Sequence, residues 1–219
     1  MARVDSRLTG PRLARRSLGV EYLTIGWNVI EAAVAVVTGV IAASVALTAF
    51  GIDSGIELVS AAIVAVRLRS LIVTKETNEE KERRALRVVA VCFYALAVYV
   101  LVDATLTLSS GEHPAASPIG IGVTVAALVV MPALAAAKRH LANRFDADRL
   151  SGFATILRAD AAETALCAVL AGTTLLGLGL NALFGWWWAD PTASLVVVYF
   201  AVNEGREAWR GELVCADDD

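Results

Sequence analysis

Apolar residues in this chain come in long blocks, and polar residues gather in the connections between them. Six blocks stand out, approximately Glu21 to Ala43, Ala46 to Val66, Val88 to Leu108, Ile119 to Ala137, Ala159 to Leu180 and Asp190 to Asn203. An α-helix needs about 20 residues to cross the hydrocarbon core of a bilayer. None of the blocks shows the strict alternation over ten residues that a membrane β-strand requires. The first two blocks are nearly continuous, so a tight turn is expected near Ala43 to Val45. The pattern predicts an all-α polytopic membrane protein with six transmembrane helices. Composition agrees: 57% of the 219 residues are hydrophobic and the mean hydropathy is +0.63, too apolar for an ordinary soluble domain.

Basic residues are sorted between the connections. Arg3, Arg7, Arg12, Arg15 and Arg16 precede the first block, and Arg67, Arg69, Lys75, Lys81, Arg83, Arg84 and Arg87 separate the second from the third. Lys138, Arg139, Arg144, Arg149 and Arg158 separate the fourth from the fifth, and Arg206 and Arg210 follow the sixth, while the other connections hold no Lys or Arg. By the positive-inside rule, both termini and the two basic loops face the cytoplasm. Trp186, Trp187 and Trp188 then fall at the opposite interface, where indoles favour the headgroup layer.

The expected organisation is a basic cytoplasmic N-terminal segment (1–20), a six-helix transport domain (21–209) and a short acidic cytoplasmic tail (210–219), with no cleaved leader. The net charge of −3 is segregated by side and gives no reason to expect a nucleic-acid partner. Cys92, Cys167 and Cys215 fall in three different layers, so no disulfide framework is expected.

Carboxylates inside such blocks are costly, roughly 2.5–3.5 kcal/mol for an ionised Asp near the centre of a span. The second block nevertheless holds Asp53 and Glu57, and the fifth holds Glu163 and Cys167 at the same four-residue spacing. That spacing puts each pair on one helix face. Two like charges in a low-dielectric setting resist simultaneous ionisation, so the empty acid pair is expected to keep at least one proton. A divalent cation reverses that preference, and the same residues become a metal-for-proton exchanger. Gly51 and Gly55 flank Asp53 at a spacing that lets another helix approach closely. Asn28 and Glu31 share a face of the first helix, either lining a cavity beside the site or, for Asn28, hydrogen-bonding another helix. Asp160 is expected to cap its helix or face water, and Asp190, before Pro191, to cap the sixth helix. Glu112 and His113 read as a solvated outer loop, and Cys215 lies beside the terminal acids.

Three stretches resemble the cation diffusion facilitators. Ser44-Val-Ala-Leu-Thr-Ala-Phe-Gly-Ile-Asp53-Ser-Gly-Ile-Glu57 resembles their second helix, Arg158-Ala-Asp160-Ala-Ala-Glu163-Thr-Ala-Leu-Cys167 their fifth, and Trp188-Ala-Asp190-Pro191 the start of their sixth. The resemblance implies a six-helix divalent-metal/proton antiporter that exports metal from the cytoplasm, usually as a homodimer. By matched position it makes Asp53, Glu57, Glu163 and Cys167 the metal ligands, with Asn28, Glu31 and Asp160 as accessory residues and Asp53, Glu57 and Glu163 as proton carriers.

The chain departs from that family's pattern. Glu163 stands where the fifth helix usually has His, and Cys167 where it usually has Asp. A thiolate favours zinc or cadmium, whereas carboxylates alone suit manganese or iron, so zinc is the first expectation and the others stay open. No cytoplasmic domain is expected after the sixth helix, in which the chain resembles a short branch of the family, so a dimer would rest on the helices. Divalent metal, protons and lipid are therefore the expected partners, with no prosthetic group, in the plasma (inner) membrane. A non-transporting metal sensor or partner subunit is the rival reading. An enzyme is not expected, because the chain has no His-Glu-x-x-His helix, no nucleophile with a matching base and no phosphate-binding glycine loop.

Overall fold

A computed structural model describes residues 6–73, 79–110, 115, 117–147 and 151–210. Glu112, His113, Cys215 and the acidic tail beyond Arg210 lie outside the described residues. The described chain forms six α-helices and no strand: α1 (Ser6–Ala42), α2 (Val45–Val73), α3 (Glu79–Ser110), α4 (Pro118–Ala147), α5 (Ser151–Phe184) and α6 (Ala189–Arg210).

Each helix outruns its apolar block. Charges interrupt a hydropathy pattern, but the backbone goes on pairing its N–H and C=O groups through them into the interface. Helix α1, at 37 residues, would measure about 55 Å at 1.5 Å per residue, against a hydrocarbon core of about 30 Å. It passes Glu21 without a break. Lys138, Arg139 and Arg144 belong to α4 and Arg158 to α5, so the basic connection expected between the fourth and fifth blocks shrinks to a short link.

Helices α1 to α5 are long and apolar enough to cross a membrane, while α6 is more polar. Their surfaces are inverted relative to a soluble bundle. The buried stripe of α1 carries Ser17, Glu21, Thr24, Asn28 and Glu31 at helical spacing, and its outward face presents Tyr22, Leu23, Ile30, Val37 and Ile41. Lipid is the solvent that this arrangement suits.

Four of the helices close a ring in the order α1, α2, α5 and α4, and α3 pairs with α6 against α2 and α5. The expected tight turn is present. Ala43 takes a left-handed φ of 52°, and the Ser44 hydroxyl accepts from the Leu47 amide at 3.1 Å to cap α2. Asp190 does something different from the expected cap of its own helix. It accepts from the Ser44 hydroxyl at 2.6 Å and the Ala46 amide at 3.3 Å, so it fastens the start of α6 to the start of α2. The exposed indoles of Trp186 and Trp188 stack nearby, with ring centroids 5.4 Å apart.

Gly51 is a true contact glycine. A Cβ there would lie 2.7 Å from the Val36 backbone nitrogen of α1, whereas a Cβ on Gly55 would meet nothing within 4 Å, so only half of the expected pair serves close approach. Gly51→Ala should therefore push α1 from α2 and destabilise the protein by about 1–3 kcal/mol. Gly55→Ala should be neutral or stabilise by up to about 1 kcal/mol. Thermal unfolding of the two variants in detergent checks the contrast.

Candidate metal-transport site

The acids of α2 lie on its inward face because their four-residue spacing follows the helical repeat. Asp53 is 7% exposed and Glu57 2%. Cys167 of α5, itself buried and unbonded to another cysteine, faces both carboxylates. Both Glu57 oxygens are buried without a hydrogen-bond partner. The adjacent Thr164 hydroxyl is already engaged, donating to the Asp160 carbonyl at 3.0 Å. Asp53, Glu57 and Cys167 thus face the contact of α2 with α5 without closing on a single point.

Glu163 is turned elsewhere. It is half-buried and accepts a 2.6 Å hydrogen bond from the Ser60 hydroxyl, one turn further along α2. Its other oxygen is buried without a partner. The four candidate ligands therefore do not close on one point: among the described residues no three His, Cys, Asp or Glu side chains converge on a place for one ion.

On α1, Asn28 and Glu31 are fully buried, and no side-chain polar atom of either has a hydrogen-bond partner. The alternative of an interhelical hydrogen bond for Asn28 is not realised. Glu57 is the charge acting most strongly on Glu31.

Asp160 is neither a cap nor water-facing. It is 3% exposed, and its carboxylate lies 2.6 Å from the Lys138 ammonium, which is 3.4 Å from Glu21 and donates to Thr164 at 3.0 Å. Lys138 and Glu21 are both fully buried. This ion network joins α1, α4 and α5 on the basic side of the Asp53 and Glu57 pair. Sequence reasoning missed it by assigning Lys138, with its neighbours Arg139 and His140, to a cytoplasmic loop, and only the i, i+4 relation of Asp160 and Thr164 hints at a shared face. A second residue overlooked is Glu204 of α6, half-buried, whose charge acts on Asp53 and Glu163. Its signal was weaker than theirs, an acid directly after the sixth apolar block rather than inside one.

A bundle with lipid-suited outer faces and a row of buried carboxylates, two of them facing a thiol, is the architecture of a membrane protein that handles cations. The cation efflux transmembrane domain matches residues 85–211, more than half of the chain, and the chain belongs to that family, the cation diffusion facilitators. It is an integral membrane protein, and transport of metal cations, not enzymatic turnover, is the family's activity. The matched part contains Asp160, Glu163, Cys167 and Glu204, while Asp53 and Glu57 precede it. No curated protein matches the chain.

Proposed function

We infer that the protein is a divalent metal/proton antiporter that exports metal from the cytoplasm, with zinc as its first substrate. The observation that carries this reading is Glu57, almost fully buried with both carboxylate oxygens unpartnered, beside Asp53 and Cys167. A carboxylate so placed is stable as the neutral acid or with a cation, and exchange of one for the other is the chemistry of antiport. Asp53, Glu57, Glu163 and Cys167 are the ligands in this proposal. Asp53, Glu57 and Glu163 carry the protons, and Asn28, Glu31 and Asp160 support them.

All six helices span the plasma (inner) membrane in this reading. Helix α6 has 22 residues, about 33 Å of helix, so length does not prevent it from crossing. Asp190 and Glu204 would then face the bundle. The sorting of basic residues supports a cytoplasmic position for both termini, and the proposal takes residues 21–209 as the transport domain of a homodimer formed through the helices. Incoming metal displaces protons from the acids, Glu163 leaves Ser60 to complete the coordination, and the bundle reopens on the other side, where returning protons release the metal.

Zinc flux into proteoliposomes, with one trapped dye for metal and another for pH, tests the proposal. Metal entry with opposite proton movement is the expected result. Binding without movement of either ion would instead favour a metal sensor or partner subunit built on the same residues.

A further inference from the structure

The same bundle holds a concentration of unsatisfied polar atoms on the other side of Glu57. Helices α1 and α2 run antiparallel in a register fixed where Gly39 meets Thr48 and Gly51 meets Val36. Carried along the hairpin, that register sets Glu31 level with Ile56 and Glu57, and Asn28 level with Val59 and Ser60. Asn28 and Glu31 are three residues apart, hence on one face of α1. Both are 0% exposed and Glu57 is 2% exposed. The two carboxylates and the amide contribute six polar atoms, and none has a hydrogen-bond partner.

Nearby donors act on the two carboxylates but leave the group short of hydrogen-bond partners. The Ser54 hydroxyl beside Glu31 donates to the Phe50 carbonyl at 3.0 Å, and the Trp27 indole nitrogen, also close to Glu31, is itself buried without a partner. Isolated unsatisfied groups are uncommon in native interiors, and three such side chains in one place call for a shared ligand. A cation satisfies all the oxygens together, since two carboxylates neutralise a divalent charge and the amide oxygen supplies a further donor.

We propose that Glu31, Asn28 and Glu57 form a second position for a divalent cation, on the α1 side of Glu57, with Cys167 on its α5 side. It rests on the reading of Glu57 as a transport ligand and deepens it: Glu57 is shared, and a cation passes between an all-oxygen position and one that includes a thiolate. The oxygen position accepts hard as well as borderline divalent ions, so the thiolate position alone discriminates for zinc and cadmium.

Cadmium-113 NMR of the full chain in detergent micelles, loaded with the cadmium ion alone, separates the two positions by ligand type. The wild type should give a thiolate-range resonance and an oxygen-range resonance. Glu31→Gln should remove only the second, with at least a tenfold loss of affinity there, and Asn28→Ala should weaken it. Cys167→Ser should shift only the first. Unchanged gel-filtration behaviour of each variant, and recovery of the oxygen-range signal in Glu31→Asp, exclude misfolding as the cause. A wild type with the thiolate resonance alone, or a Glu31→Gln variant that keeps both, overturns the α1-side position and leaves the transport-site reading standing. An oxygen-range resonance without a thiolate partner overturns the assignment of Cys167 instead and supports the α1-side position. Absence of any bound cadmium overturns both.

Discussion

Asp53→Ala is expected to abolish metal flux while leaving the protein folded. Asp53 is buried on the inner face of α2, with the Cys167 thiol as a polar neighbour and Glu57 as the charge that acts on it most strongly. Removing it takes away one anionic donor and part of the charge that draws a divalent ion out of water. Loss of an outer-shell partner alone lowers metal affinity about 10–100-fold, so loss of a direct ligand should cost at least about 100-fold. Stability should not suffer. The substitution removes a carboxylate from a low-dielectric interior, where it is costly, and the cavity left by a small side chain is modest. The check is zinc flux in proteoliposomes beside a thermal melt in detergent. Flux at the wild-type rate in a folded Asp53→Ala protein would remove Asp53 from the transport site, and unfolding would show that it supports the bundle instead.

The parts of this bundle that were legible in the sequence are those governed by local rules. Apolar blocks locate the six helices because length and hydropathy are properties of a single segment. Pair spacing located the faces of Asp53 with Glu57 and of Glu163 with Cys167, since it depends only on the helical repeat. Helix ends were less legible, because charge stops an apolar pattern without stopping a helix, as α4 shows by continuing through Lys138 to Ala147. Pairings between helices were hidden altogether. Asp190 reads as a cap of the nearest helix, yet its carboxylate reaches Ser44, 146 residues away. Glu163 reads as a partner of Cys167, yet its oxygen meets Ser60 across the α2–α5 contact. Such choices depend on which hydroxyl or amide the packed bundle brings within 3 Å or so of a carboxylate, which no single segment encodes.

Lys138 is where that limit has its largest energetic consequence. A lysine near the cytoplasmic end of a span is ordinarily a topology signal with its ammonium in water. Here it is fully buried, 2.6 Å from Asp160 and 3.4 Å from Glu21, with Thr164 completing its contacts. Lys138→Met keeps most of the side-chain volume and removes the only cation of this network. Two buried acids would then face each other with no positive charge between them. Breaking a buried ion pair by deleting one partner costs about 3–5 kcal/mol, and that is the expected loss of stability. The triple variant that adds Glu21→Met and Asp160→Leu should recover most of it, because replacing a whole buried network with apolar groups of similar volume is often close to neutral. Unfolding midpoints of the single and triple variants in mixed micelles provide the comparison. A single variant as stable as the wild type would mean that Glu21 and Asp160 hold protons and that Lys138 contributes little as a charge. Recovery in the triple variant without recovery of zinc flux would assign the network a part in transport: because Thr164 directly follows Glu163, a cation anchoring this turn of α5 also fixes how far Glu163 can swing from Ser60 toward the metal.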